Sequence, residues 1–150
     1  MKQKKIATLA LAVFFATGAL AQKSVDVKTA DVPAPVQESF QKHFPNATGA
    51  DWEMKGDTYK VEFRKDGSKH FAGFDKNGTR TKHGTAISSS ELPENVRAAV
   101  LKDNPGAKIE DVYKVEKDGA THYKMELDGK TEKKVMYSAD GAMVKEKLDD

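Results

Sequence analysis

One short pattern occurs twice in this chain, sixty residues apart. The first copy reads Val32-Pro33-Ala34-Pro35-Val36, then Phe40, Phe44-Pro45-Asn46-Ala47 and Asp51. The second reads Leu92-Pro93-Glu94-Asn95-Val96, then Val100, Asn104-Pro105-Gly106-Ala107 and Asp111. A repeat of this length is one supersecondary unit, too small to bury its apolar face alone, so each copy needs its neighbour. The duplication therefore restricts the chain to two similar units packed into a common framework.

Within each copy the periodicity changes from helical to extended. Val32, Val36, Phe40 and Phe44 recur every four residues and form one stripe of a short helix. The prolines near residue 33 suit a helix first turn, and Pro45-Asn46 stops it. A short strand at 52–55 follows. Tyr59, Val61 and Phe63 then alternate with Lys60, Glu62 and Arg64, the pattern of a half-buried antiparallel strand. Asp66-Gly67 and Asn77-Gly78 are hairpin turns leading into strands at 69–75 and 79–83.

The second copy repeats this order. Leu92, Val96, Ala99 and Val100 form its helical stripe, followed by strands at 109–116, around Tyr123-Met125-Leu127, at 131–137 and at 142–147. The offset drifts from 60 at the helices to 64 at Tyr59/Tyr123 and 63 at Gly78/Gly141, the mark of a small insertion or deletion in the first hairpin. The expected fold is α+β: two tandem units of a helix plus a four-stranded antiparallel meander, forming a sheet with both helices on one face. The divisions are residues 1–21 as a leader, 22–31 as a flexible lead-in, 32–87 as repeat one and 88–150 as repeat two. Gly84 to Ser90 would link the repeats.

The leader has a basic start (Lys2, Lys4, Lys5), an apolar run from Ile6 to Leu20 and the small-residue motif Ala19-Leu20-Ala21, which together read as a secretory signal peptide cleaved before Gln22. The destination is the periplasm or the exterior. The leader also accounts for the apparent basic character. Of 25 lysines and arginines, three lie in it, which leaves 22 against 23 acidic residues. A near-neutral chain with interspersed signs carries no footprint for nucleic acid, and no membrane association is expected after cleavage. The absence of cysteine excludes disulfides and thiolate metal sites.

The helix openings, the Pro-(Asn/Gly)-Ala stops and the hairpins Phe74-Asp75-Lys76-Asn77-Gly78 and Tyr137-Ser138-Ala139-Asp140-Gly141 resemble the PepSY-like family, described as similar to β-lactamase-inhibitor proteins. The resemblance covers about residues 32–147 and implies a tandem helix-plus-sheet fold, export and no enzymatic activity. It also implies an open sheet face that grips a partner protein, and a role like that of PepSY domains, which are associated with restraining peptidases. The chain departs from the pattern at Asn104, which stands where the first copy has Phe44.

No catalytic constellation emerges from the residues themselves. The histidines (His43, His70, His83, His122) lack metal-ligand spacing, and Ser88-Ser89-Ser90 lacks a nucleophile elbow. A calcium loop opening at Asp75 has Ala86 where the bidentate glutamate belongs. No metal and no cofactor are expected.

The informative surface is the sheet face away from the helices, where alternation places Lys60, Glu62, Arg64, Phe71, Lys124, Glu126, Lys134 and Met136. Phe71 and Met136 are apolar where exposure is expected, and such residues are enriched in partner contacts. Partner-binding candidates are therefore Phe71, Met136, Lys60, Arg64 and Trp52, the last able either to pack under a helix or to anchor a partner. The expected function is non-enzymatic binding of a protein or peptide in the cell envelope, including inhibition of a hydrolase, by a monomer or weak dimer. The alternative is a small-ligand or calcium sensor built on the turn acids Asp66, Asp75, Asp128 and Asp140.

Overall fold

A computed structural model describes residues 23–148, so the leader expected at 1–21 lies outside the described residues. Strand β1 (Val25–Val27) leads through a 3-10 turn at Thr29–Asp31 to helix α1 (Ala34–His43). Strands β2 (Thr48–Lys55), β3 (Thr58–Lys65), β4 (Ser68–Asp75) and β5 (Arg80–Ala86) follow. A second 3-10 turn at Ser89–Glu91 precedes helix α2 (Glu94–Asp103) and strands β6 (Lys108–Lys117), β7 (Ala120–Asp128), β8 (Lys133–Ser138) and β9 (Met143–Leu148). The nine strands form one open sheet in chain order, each antiparallel to the next. The α+β tandem architecture expected from the repeat is the one observed.

Register shows why both helices share a face. Directly paired residues project to the same side of a sheet. Ala72 pairs with His83 and His83 with Glu116, and period-two alternation carries that side along β6 to Val112. Ala72 belongs to the core under α1 and Val112 to the core under α2. The first core joins Val36, Phe40 and Phe44 to Trp52, Val61, Phe63 and Phe74; the second joins Val96 and Val100 to Met125, Leu127, Val135 and Tyr137.

The two cores fill equivalent space differently. In the first, Phe40 meets Trp52 and Phe63 edge-on at 5.3 and 5.2 Å, a favoured aromatic geometry. In the second, Val100 replaces Phe40 and Val135 replaces Ala72, so bulk moves from helix to strand. Asn104 is buried where copy one has Phe44. Its Nδ2 donates to the Val100 carbonyl at 2.9 Å and lies 3.4 Å from the Tyr137 hydroxyl, which donates to Asp103 Oδ2 at 2.9 Å. Tyr137 itself replaces Phe74, so one paired exchange keeps the polar amide satisfied.

Two expectations need correction. Within the expected flexible lead-in at 22–31, the described residues 23–31 are held against the sheet and helix rather than flexible: Val25–Val27 pairs with Trp52–Met54, and Gln37 Nε2 donates to the carbonyls of Thr29 and Val32 at 2.9 and 2.7 Å. Sixty residues on, Arg97 makes the same tie to the Ser89 carbonyl. Nor is Gly84 to Ser90 a linker. Gly84 to Ala86 lie in β5 and pair with Tyr113 to Val115, and Ser88 with Glu91 forms a capping box on the second 3-10 turn.

These corrections change the phase of the repeat. The pairing of Asp26 with Glu53 recurs, shifted by 60, as Ala86 with Tyr113. Strand β5 thus opens copy two as β1 opens copy one, while its earlier part closes copy one as β9 closes copy two. Each copy has five strands, and one is held in common.

Glycines lock the hairpins under the helices. Gly78 (φ +86°) and Gly141 (φ +88°) both occupy the left-handed region. A Cβ at Gly78 would overlap the Pro35 carbonyl at the start of α1, whereas one at Gly141 would sit 3.3 Å from the Asn95 carbonyl. Gly141→Ala is expected to cost about 1 kcal/mol of backbone strain. Gly78→Ala should cost about 3 kcal/mol, because the helix must also shift. Urea unfolding of both variants checks this, and equal losses would contradict it.

Candidate binding face

Helices cover one face of the sheet and leave the other open. Across the middle of the open face runs the register row Glu62, Phe71, Gly84, Val115 and His122. Beside it on one side lie Lys60, Gly73 and Lys82, and on the other Ala86, Tyr113, Lys124 and Met136.

Phe71 occupies the centre of this face but is only 6% exposed, against the exposure that simple alternation implies. The reason is Gly84 on the neighbouring strand. A Cβ there would overlap the Phe71 ring, so the ring lies flat over the space glycine leaves. Tyr113 flanks it at 5.4 Å between centroids, tilted by 57°. The ammonium groups of Lys60 and Lys82 stand 5.9 Å from the ring centroid and that of Lys124 stands 5.3 Å from it. Lysine stems cover apolar surface, and the ring's negative face attracts their charged heads. Phe71 is thus a pedestal for three cations rather than an exposed anchor.

The charges are unevenly balanced. Lys60 pairs with Glu62 at 2.6 Å, and this bond and charge hold the Glu62 carboxyl below its ordinary range. Lys134 and Glu126 approach to 3.4 Å. Lys124 has no carboxylate at salt-bridge distance among the described residues. Burial pushes its ammonium below the usual lysine range, and Lys60 and Lys134 push the same way. Burial also raises the Tyr113 phenol, assisted by Glu62, Asp111 and Glu126.

The remaining candidates separate. Lys60 belongs to the cluster, and Met136 is half-buried opposite Lys124. Arg64 is exposed on the same face, paired in register with Lys69 and Thr48. Trp52 is 1% exposed beneath α1, against Phe40 and Phe74, so it packs in the core and is not presented to a partner. Residue-by-residue reading missed Tyr113, Lys82 and Gly84. Their signal lay in register, because the β5–β6 pairing joins the two repeats at these positions.

On the helix side, between the two cores, the structure unites two histidines. His70 and His83 stack at 9° with Nδ1 and Nε2 3.1 Å apart, between Phe63 and Phe44. Burial, and then the charge of His70, lowers His83 to about 4; burial also lowers His70. The turn acids do not converge: the meander puts Asp66 and Asp128 at one end of the sheet and Asp75 and Asp140 at the other. Asp75 Oδ1 accepts the Asn77 and Thr79 amides at 2.9 and 3.0 Å, an ordinary turn role. No group of three or more metal-ligating side chains occurs among the described residues.

A family model described as "Putative beta-lactamase-inhibitor-like, PepSY-like" matches residues 18–78 and again 57–145. The chain belongs to this PepSY-like family. Among solved structures, the chain resembles a BLIP-like protein from Bacteroides fragilis at 26% identity, with a TM-score of 0.62, covering 77% of this chain and 86% of that one. A DUF2874 family protein from Bacteroides uniformis aligns at 20% identity and a TM-score of 0.68 over 77% and 88% of the two chains. A protein from Bacteroides eggerthii, described as a putative periplasmic protein, aligns at 16% and 0.70 over 78% and 88%. The last two likenesses concern the fold alone. No curated protein sequence matches the chain.

The histidine pair of this PepSY-like protein makes its stability depend on pH. Both groups have lowered pKa values, so between about 6.5 and 4 the unfolded chain binds protons that the folded chain excludes. Stability is complete above that window and declines as pH falls through it. Thermal melts from pH 7.5 to 5.5, a range above most carboxylate titrations, should show a falling midpoint and a flatter profile for His83→Gln. An identical slope in that variant would contradict the assignment.

Proposed function

We propose that this protein is an exported, non-enzymatic binding protein that engages a protein or peptide of the cell envelope through its open sheet face, with restraint of an envelope hydrolase as one form of that role. The observation that carries this reading is the cluster on that face: Phe71 over Gly84, Tyr113 beside it, and three lysines held above the ring. A buried aromatic fixing long cationic stems reduces the entropy a partner must remove on binding. The family's description as β-lactamase-inhibitor-like supports binding rather than catalysis. The basic start, apolar run and Ala19-Leu20-Ala21 motif support delivery to the periplasm or exterior, and a periplasmic location is also given for the Bacteroides eggerthii protein of the same fold.

Site-specific photo-crosslinking in cells of the source organism tests the face. A photoreactive residue at Glu62 or Met136 should trap one discrete partner, while the same residue at Glu38 on α1 or Leu101 on α2 should not. Equal trapping from both faces, or from the helix face alone, would overturn the reading.

A further inference from the structure

We infer that the site on the open face takes an acidic segment of a partner protein, with an aspartate or glutamate carboxylate seated among Lys60, Lys82 and Lys124 above the Phe71 ring. This rests on the reading of the open face as the docking surface and specifies the chemistry that docks there. Three ammonium groups lie within 6 Å of one ring centroid. Within salt-bridge distance, Glu62 answers Lys60, and Lys124 has no carboxylate among the described residues. The three like charges repel one another, and they persist because the buried ring and the flat glycine strand position them.

A carboxylate entering from a partner relieves that repulsion and forms charge-assisted bonds with heads already held in place. The Lys124 ammonium is desolvated and crowded by Lys60 and Lys134, against the weaker pull of Glu62 and Glu126, and gains from such a partner. Tyr113, its phenol neutral at physiological pH, supplies a flanking aromatic edge. The patch is local. Glu126 and Lys134 answer each other beside it, and the chain after residue 21 carries 22 basic against 23 acidic residues. A confined positive spot on a near-neutral protein matches one or two carboxylates on a protein surface better than it matches a polyanion, whose attraction grows with many distributed charges.

The test is a titration of the isotope-labelled protein with a synthetic peptide of alternating threonine and glutamate, followed by backbone amide resonances. The expected result is saturable shifts centred on Gly73, Gly84, Tyr113 and Lys124, at least tenfold weaker with the glutamine version of the peptide and weaker again at high salt. Lys124→Gln should weaken binding about tenfold, whereas Lys102→Gln on α2 should not change it. Equal binding of both peptides, shifts confined to the helices, or no binding at millimolar peptide would overturn the inference. So would tight sedimentation with phosphatidylglycerol vesicles that the peptide fails to reverse, which would point to a lipid surface. If the peptide fails while photo-crosslinks still map to the open face, the docking face stands and only its acidic preference falls.

Discussion

Strand β5 is the constraint on which the molecule depends. It pairs with β4 at the end of the first repeat and with β6 at the start of the second, so ten strand positions are filled by nine strands. Two separate five-stranded units would each expose edges, and edges invite unwanted pairing. Sharing a strand removes two internal edges and welds the two cores onto one sheet. The same sharing brings His83, from the first repeat's last strand, into register with Glu116 of the second.

The open face inherits this continuity. Phe71 belongs to the first copy, and Tyr113 and Lys124 belong to the second. They meet because Gly84, in the common strand, contributes no side chain between them. Copy two has Lys134 at the position equivalent to Phe71, so the duplicated scaffold carries one such cluster rather than two. Asymmetry written into a symmetric fold, at the junction between copies, is where a duplicated protein can build a site that neither copy has alone. The cost is small, because the core substitutions that distinguish the copies (Asn104 with Tyr137, Val100 with Val135) are matched within each copy.

Much of this architecture was legible in the residues. The four-residue stripe, the Asp-Gly and Asn-Gly turns and the alternation around Tyr59 and Tyr123 located both helices and most strands, since each reflects local geometry. Strand β1 escaped because three residues of Val-Asp-Val carry too little alternation alone. Its counterpart sixty residues on, Thr85-Ala86-Ile87, would have revealed it. The true ends of β5 escaped because glycine, threonine and alanine resemble a linker, and their pairing with β6 is a long-range property. Phe71 was placed on the correct face, but its burial depends on a glycine in another strand, and no single-strand pattern shows that. Trp52 was ambiguous in sequence because its side of the sheet is set by its pairing with Val61 in the next strand, which a short run read alone does not show.

The central claim is that the shared strand makes two repeats one cooperative body presenting one continuous face. Differential scanning calorimetry of the chain without its first 21 residues tests it most directly. A single transition with equal calorimetric and van't Hoff enthalpies is the expected result. Two resolved transitions, or a calorimetric enthalpy near twice the van't Hoff value, would mean that the repeats unfold independently and would contradict it.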